Sequence, residues 1–195
     1  MAGSIIGCAM NASMTTLVLL LAERLRALNW RMATAESCTG GGIGYYLTEL
    51  AGASDWFAGG ILAYNNAVKQ DALGVSAQTL LTQGAVSEAT VAQMAQGVFR
   101  LMCADCVVAV SGIAGPSGGT ADKPVGTVCF AWAWRDEIGN THVRTHRTQF
   151  VGNRSEVRLQ TVLRALEGLI ELCAQVKKGR PVPDDLMALR ATHWV

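Results

Sequence analysis

The stretch that decides the fold lies at residues 33–42 and reads ATAESCTGGG. A short apolar run leads into a turn rich in hydroxyl groups, and three glycines then open a predicted helix. Glycines at such a turn let the backbone approach a ligand closely, and the amides of a helix N-terminus attract anions. The turn therefore suits a nucleophile or a phosphate site, with Ser37 and Thr39 as the candidate hydroxyls. Packing alone also accounts for many turns of this composition.

The composition is that of a folded domain without an overall charge bias. Of the 195 residues, 50% are apolar, 21 are glycine and 4 are proline, and the formal net charge is +1. A chain of this length buries a substantial core as one domain. The balanced charge gives no global field for nucleic acid or an anionic membrane, so any anion site must be local. We expect neither a nucleic-acid partner nor a membrane partner.

The cysteines and histidines show no pattern typical of a disulfide framework or a metal site. The six cysteines lie mostly in apolar runs, and Cys103 and Cys106 form an isolated CxxC without a second ligand pair. His142 and His146 can share one face of a predicted strand but lack a third ligand, so we interpret them as solvent-facing. We expect no metal and no cofactor, and the lack of a recognisable secretion signal favours a reducing cytoplasm.

The two ends of the chain are interpreted separately from the domain. Residues 1–14 are predicted to be a disordered extension, with Met14 as a candidate start, because polar residues break the apolar run. From Thr15 onward, leucines recur at helical spacing and predict an amphipathic helix. Residues 15–178 are predicted to form the domain and residues 179–195 a tail.

Strand and helix patterns alternate between these ends. The predicted strands cover residues 31–36, 56–64, 106–110, 126–134 and 142–150. The predicted helices cover residues 40–50, 65–73 and 77–83, followed by longer helices that start after Ser87 and Asn153. Glu156, three residues after Asn153, completes a capping box, and the last two strands predict an antiparallel hairpin. The pattern predicts a single three-layer α/β/α domain with a mixed, mostly parallel sheet.

Polar residues that the fold does not require occur in four places. These are the Ser37 turn, residues 59–69 with Tyr64 and Lys69, the glycine-rich loop after Ser111, and Arg154 in the first turn of the last helix. Three of the four follow the carboxyl ends of predicted strands, which gather at one edge of a parallel sheet and form ligand sites there. No histidine is placed for a Ser-His-Asp triad. A lysine is the remaining activator for the serine, provided that burial or neighbouring dipoles lower its pKa.

Each of these residues also has a purely structural interpretation. Lys69 is typical of a surface lysine on a short helix, Tyr64 of an aromatic residue packed at a strand end, and Ser111 of a turn serine. Arg154 is typical of a solvated arginine, although a cation in the first helical turn opposes the macrodipole and so hints at a neighbouring anion. Cys38, next to the serine, is an alternative thiol nucleophile that would itself need an activating partner.

Seven motifs occur in a fixed order along the chain. They are TAESCTGG at 34–41, GG…AYNN…K at 59–69, LGV at 73–75, GAVS at 84–87, SGIAGPSGG at 111–119, KPVGTV at 123–128 and FVGNR…R at 150–158. Together they resemble the CinA C-terminal domain family, whose stand-alone members include nicotinamide-nucleotide amidases. The resemblance covers about residues 15–175.

The resemblance implies hydrolysis of the carboxamide of nicotinamide mononucleotide to nicotinic acid mononucleotide and ammonia, without metal. It implies Ser37 as the nucleophile, Lys69 as its base and Tyr64 as a hydrogen-bonding partner of that pair. The implied substrate-binding residues are Thr39, Gly40, Gly41, Asn65, Ser111, Gly112, Gly115 and Arg154. Arg154 would contact the phosphate. The backbone amides of the Ser37 turn are candidate oxyanion donors, each typically worth ~3 kcal/mol.

Other interpretations stay open at this point. A nucleotide-binding or interaction module of the competence/damage-inducible CinA type would hold phosphate without catalysis, and a diverged amidase fold would have lost its activity. Intact Ser37, Tyr64 and Lys69 argue for an active enzyme. The expected partner is a small-molecule nucleotide substrate, and we expect the chain to form a homo-oligomer.

Overall fold

The computed structural model describes the backbone of residues 2–176 and the side chains of residues 13–176. The helices are α1 (Ala2–Ala27), α2 (Gly42–Thr48), α3 (Asn66–Asp71), α4 (Ala77–Gln83), α5 (Glu88–Leu101) and α6 (Arg154–Val176), with a 3-10 turn at Ala53–Asp55. The strands are β1 (Met32–Glu36), β2 (Phe57–Leu62), β3 (Cys106–Gly112), β4 (Thr127–Arg135) and β5 (Thr141–Gln149).

The five strands form one mixed sheet in the order β2-β1-β3-β4-β5. Strand β1 pairs in parallel with both β2 and β3, whereas β4 pairs antiparallel with both β3 and β5. Strand β4 therefore runs against the other four, which share one direction. The predicted mixed α/β sheet and the predicted hairpin of β4 and β5 are both confirmed.

Helices cover both faces of the sheet because strand side chains alternate between two apolar clusters. Met32 and Val108 belong to the cluster that includes residues of α1, α2 and α6. Ala33 and Val107 belong to the other, which includes residues of α5. The strand positions facing α5 are mostly alanine, which leaves room for close packing of this helix, and β3 is buried on both faces as its apolar run predicts.

The start of α1 differs from the sequence pattern. This helix begins at Ala2, whereas the leucine spacing predicts a start at Thr15. The disordered extension at residues 1–14 stays a prediction, and the predicted tail at 179–195 lies outside the described residues. No helix in the described part of the chain combines the length and apolar character needed to cross a bilayer.

The sheet topology brings the candidate segments to one edge. Strands β1, β2 and β3 are parallel, so their carboxyl ends at Glu36, Leu62 and Gly112 lie at the same edge. Strand β5 runs in the same direction, and the chain therefore enters α6 at this edge as well. The Ser37 turn, the start of α3, the loop after β3 and the first turn of α6 converge there.

Candidate active site

Ser37 lies on a tight turn between β1 and α2. Its backbone N–H donates to the carbonyl of Val110 over 3.1 Å, which extends the pairing of β1 with β3 by one residue, and its own carbonyl accepts from Gly40 N at 3.1 Å. Gly40 (φ 61°) and Gly41 (φ 88°) adopt left-handed conformations that favour glycine. The turn places the Ser37 side chain at the end of the sheet, with 7% of the residue exposed.

Lys69 contacts Ser37 from inside the protein. Its Nζ lies 3.1 Å from Ser37 Oγ and donates to the carbonyl oxygens of Ala63 at 2.8 Å and Tyr64 at 3.2 Å. These carbonyls belong to the connection between β2 and α3, and Lys69 lies in α3 itself. Residues 63–69 therefore supply both the lysine and its two carbonyl partners. Lys69 is only 1% exposed, and its interpretation as a surface lysine is therefore wrong.

The surroundings of Lys69 favour its neutral form. Burial penalises the charged amine and lowers the pKa of Lys69, with a smaller opposing effect from Cys38. Among the ion pairs of residues 13–176, none includes Lys69. A neutral amine keeps two N–H donors, enough for the carbonyls of Ala63 and Tyr64, and its lone pair is then left for the Ser37 hydroxyl. In this arrangement a neutral amine could accept the proton of the Ser37 hydroxyl.

Cys38 does not share these properties. The residue is 5% exposed, and burial raises the pKa of its thiol to about 12, despite opposing backbone hydrogen bonds. The thiol is therefore protonated at neutral pH, whereas the thiolate is the nucleophilic form. The structure gives the alternative thiol nucleophile no support.

A cavity of about 190 Å³ lies at the Ser37–Lys69 pair. It brings together six of the predicted site residues: Ser37, Lys69, Tyr64, Ser111, Gly112 and Arg154. It is also lined by Cys38 and by four residues that the sequence patterns do not single out, although the AYNN, GAVS and SGIAGPSGG motifs contain them: Asn66, Ala85, Val86 and Ala114. Ser111 is only 1% exposed, and its hydroxyl donates to the carbonyl of Ala85 at 2.7 Å. This hydrogen bond connects two walls of the cavity.

Arg154 supplies the positive charge of this cavity. Its Nη1 donates to the carbonyl of Gly115 at 2.9 Å and its Nη2 to the hydroxyl of Tyr64 at 3.3 Å. Tyr64 is 61% exposed, so its ring is not packed in the core. The backbone carbonyl of Tyr64, and not its hydroxyl, is the group that contacts Lys69.

Five predicted substrate-binding residues do not line this cavity. Gly115 is one of them, and its carbonyl accepts from Arg154. Thr39, Gly40 and Gly41 line a separate cavity of about 470 Å³, together with Tyr45, Tyr46 and Arg158 among others. The side chain of Asn65 accepts from Ala67 N at 2.9 Å and caps α3. The two results have separate causes: the turn residues line the other cavity, and the Asn65 oxygen is used as the cap of α3.

Glu36 is a residue of this region that sequence reasoning missed. Its buried carboxylate accepts from the Thr39 hydroxyl at 2.6 Å, from Ile43 N at 3.0 Å and from Gly44 N at 2.9 Å. These two amides belong to the first turn of α2. The helix N-terminus that the sequence predicts to attract a ligand anion is thus occupied by the protein's own carboxylate. An acidic residue shortly before a glycine-rich helix start was the available signal.

The histidines and the CxxC motif take no part in the site. His142 and His146 are exposed on the edge strand β5, as interpreted from the sequence, and His142 contacts Asp136 at 2.9 Å. Cys103 is exposed, whereas Cys106 is buried at the start of β3. Within the described residues, no three His, Cys, Asp or Glu side chains cluster in a way that suits a metal ion.

Comparisons with known proteins agree with the motifs. The model of the CinA C-terminal domain matches residues 14–173. The nicotinamide-nucleotide amidohydrolase PncC of Enterobacter agglomerans is 50% identical over 143 residues, or 73% of this chain and 85% of that protein. The protein of the same name from Pseudomonas putida is 46% identical over 158 residues, or 81% of this chain and 96% of that protein. The crystal structure of competence/damage inducible protein CihA from Agrobacterium tumefaciens is 44% identical, with a TM-score of 0.76 over 82% of this chain and 95% of that one. The chain therefore belongs to the CinA C-terminal domain family.

Proposed function

We propose that this chain is a nicotinamide-nucleotide amidohydrolase that uses Ser37 and Lys69 to convert nicotinamide mononucleotide to nicotinic acid mononucleotide and ammonia. The observation that carries the proposal is the 3.1 Å contact between Lys69 Nζ and Ser37 Oγ in a buried setting that lowers the pKa of Lys69. The names of the two relatives at 46–50% identity support the choice of substrate.

The first step is the attack of Ser37 on the substrate carboxamide. Neutral Lys69 accepts the hydroxyl proton while Ser37 Oγ bonds to the carboxamide carbon, and the carbonyl oxygen becomes an oxyanion. The amides of Cys38 and Thr39 are the proposed donors to that oxyanion, because among the described residues they donate to no backbone carbonyl and only the weakly accepting thiol of Cys38 lies against them. Each such donor typically contributes ~3 kcal/mol to transition-state stabilisation.

The second step breaks the carbon–nitrogen bond. Protonated Lys69 passes its proton to the departing amine, ammonia leaves, and the nicotinoyl group remains as an ester on Ser37 Oγ. A water molecule then attacks the ester carbon while Lys69 accepts one of its protons. That proton returns to Ser37 Oγ as the carboxylic acid product leaves, so one water is consumed for each ammonia released.

Arg154 is the proposed phosphate contact. Two of its five N–H donors are used on Gly115 and Tyr64, which fixes the guanidinium plane at the cavity. The remaining donors suit the bidentate recognition of a phosphate. The mononucleotide would then lie with its carboxamide at Ser37 and its phosphate at the first turn of α6.

The experiment that tests this proposal follows ammonia release and identifies the nucleotide product by chromatography. Ser37→Ala and Lys69→Ala should each lower kcat by at least about 10³-fold, as expected when one member of a catalytic unit is lost. Ser54→Ala is the matched control, because Ser54 is exposed in the 3-10 turn before β2 and should leave kcat unchanged. A wild type that binds the nucleotide by calorimetry without releasing ammonia would refute the proposal and favour a binding module.

A further inference from the structure

The turn that carries Ser37 is held from two sides by charged groups that the proposed mechanism does not use. From the sheet side, the Glu36 carboxylate accepts from the Thr39 hydroxyl at 2.6 Å. From the helix side, Arg158 Nη2 donates to the Thr39 carbonyl at 2.7 Å. Charge-assisted hydrogen bonds of this length are stronger than neutral ones. Thr39, two residues after the nucleophile, is therefore held at both its hydroxyl and its carbonyl.

The shape of the turn also fits Arg158. Gly40 has a φ of +61°, and a Cβ at this position would lie 3.3 Å from Arg158 Nη2. The sequence predicts that glycine here makes room for a ligand, whereas the structure shows it making room for the guanidinium. Arg158 Nε is buried and has no hydrogen-bond partner in the described part of the chain.

Arg158 also links the turn to the rest of the site through α6. Arg154 lies one helical turn earlier on the same face and contacts the carbonyl of Gly115 and the hydroxyl of Tyr64. The first two turns of α6 thus contact the nucleophile turn, the segment before α3 and the loop after β3. Arg158 itself lines the neighbouring cavity and not the one at Ser37.

We propose that Arg158, acting with Glu36 on Thr39, is a positioning residue that holds Ser37 at the distance and orientation needed for attack. This inference rests on the function proposed above, which supplies the reaction that Arg158 would assist. Three backbone hydrogen bonds also restrain the turn, from Ser37 N to Val110 O, from Gly40 N to Ser37 O and from Gly42 N to Thr39 O, and the last, at 3.2 Å, is longer than the Arg158 contact to the same carbonyl. Loss of the Arg158 contact would let the turn shift, and a displacement of about 1 Å at a reacting group costs on the order of 100-fold in rate.

The test compares Arg158→Ala and Arg158→Lys in steady-state hydrolysis of nicotinamide mononucleotide. Arg158→Ala should lower kcat by about 10- to 100-fold with KM within about twofold of wild type, because a misplaced nucleophile weakens the transition state and not substrate binding. Arg158→Lys retains one donor for the Thr39 carbonyl and should recover part of the loss, as should free guanidinium added to Arg158→Ala. Arg164→Ala, further along α6, is the matched control and should change neither constant.

A second readout does not depend on the substrate. A fluorophosphonate reagent labels an activated serine when the serine oxygen bonds to phosphorus and fluoride leaves, so its rate reports the reactivity of Ser37 directly. Arg158→Ala should slow this labelling by the same factor as kcat, while circular dichroism shows an intact fold. Should Arg158→Ala fail to fold, the ratio of labelling rates between Arg158→Lys and wild type decides the question.

The outcomes separate the two proposals. Unchanged labelling and unchanged kcat in Arg158→Ala would overturn the positioning role, and so would a rise in KM alone, which would make Arg158 a substrate contact. A wild type that is labelled at Ser37 but releases no ammonia would refute the proposed function. The labelling ratio would then still decide the role of Arg158. A wild type in which Ser37 is never labelled would overturn both.

Discussion

Glu36→Gln is a nearly isosteric change whose effect on stability follows directly from the hydrogen bonds around the carboxylate. Glu36 is 3% exposed, and each of its oxygens accepts from one hydroxyl and one backbone amide. Glutamine replaces one of these oxygens with an NH₂ donor. In either orientation of the side-chain amide, NH₂ faces a backbone N–H, that of Ile43 or that of Gly44. A hydroxyl can rotate to accept from the new donor, but a backbone N–H cannot.

The magnitude follows from these contacts. One buried backbone donor left unsatisfied costs about 1–3 kcal/mol, and loss of the negative charge weakens each remaining hydrogen bond by about 1 kcal/mol. The carboxylate also loses its interaction with the N-terminal end of α2, worth about 0.3–1 kcal/mol. Since the remaining oxygen keeps two hydrogen bonds, we expect the free energy of unfolding to fall by about 3–6 kcal/mol at neutral pH.

Urea unfolding followed by tryptophan fluorescence measures this change, since Trp56 and Trp132 are buried in the native state. A thermal scan should show a decrease in Tm of about 6–24 °C for a domain of this size. Glu49→Gln is the matched control because Glu49 is exposed at the other end of α2, and it should change the free energy of unfolding by less than about 0.5 kcal/mol. A change of that small size in Glu36→Gln itself, with an unchanged m-value, would refute the reasoning.

Four further predictions concern residues at or beside the cavity. Asn65→Ala removes the cap of α3 and should lower the free energy of unfolding by about 1 kcal/mol in urea titrations. Asn66→Ala should leave the free energy of unfolding unchanged and raise KM, because Asn66 lines the cavity. A lower free energy of unfolding with an unchanged KM would contradict a role of Asn66 in substrate binding. Burial lowers the pKa of Lys69, so kcat/KM should rise with pH as this amine loses its proton and reach its plateau below the usual lysine value of 10.5, which a pH–rate profile measures. Cys38→Ala should retain kcat within about threefold, because the buried thiol is protonated and takes no part in the reaction; a loss as large as that of Ser37→Ala would contradict this.

The parts of the fold that local signals determine are predictable from the sequence. The capping box of α6 is confirmed, since Asn153 N donates to Glu156 Oε2 at 2.7 Å and the Asn153 side chain accepts from Ser155 N and Glu156 N. The apolar run at the start of β3 correctly predicts a strand buried on both faces. In these cases, the residues that decide the structure are close together in the sequence, so spacing alone carries the information.

The parts that depend on distant contacts are not predictable in this way. The burial of Lys69 depends on how the segment between β2 and α3 packs against the Ser37 turn, and sequence spacing contains no trace of it. The Arg158 contact joins residues 119 positions apart. The direction of a side chain at a turn is equally hidden, which explains why Asn65 was expected in the cavity that Asn66 lines.

The role of the Glu36 carboxylate also could not be predicted from the sequence. An acidic residue at the end of a buried strand can face a ligand, a metal or the helix that follows, and these alternatives have the same sequence. Only the backbone path of the turn, which brings the amides of Ile43 and Gly44 to the carboxylate, decides between them. The anion that the helix start attracts is part of the protein itself.

The most direct test of the central claim is to trap the covalent intermediate on Ser37. Wild-type protein mixed with nicotinamide mononucleotide is quenched in acid within the first turnover, digested and examined by mass spectrometry. The account predicts a nicotinoyl mononucleotide ester on the peptide that contains Ser37, and no such adduct in Ser37→Ala. Hydrolysis of the nucleotide by Ser37→Ala at the wild-type rate, with no adduct on the wild type, would contradict it.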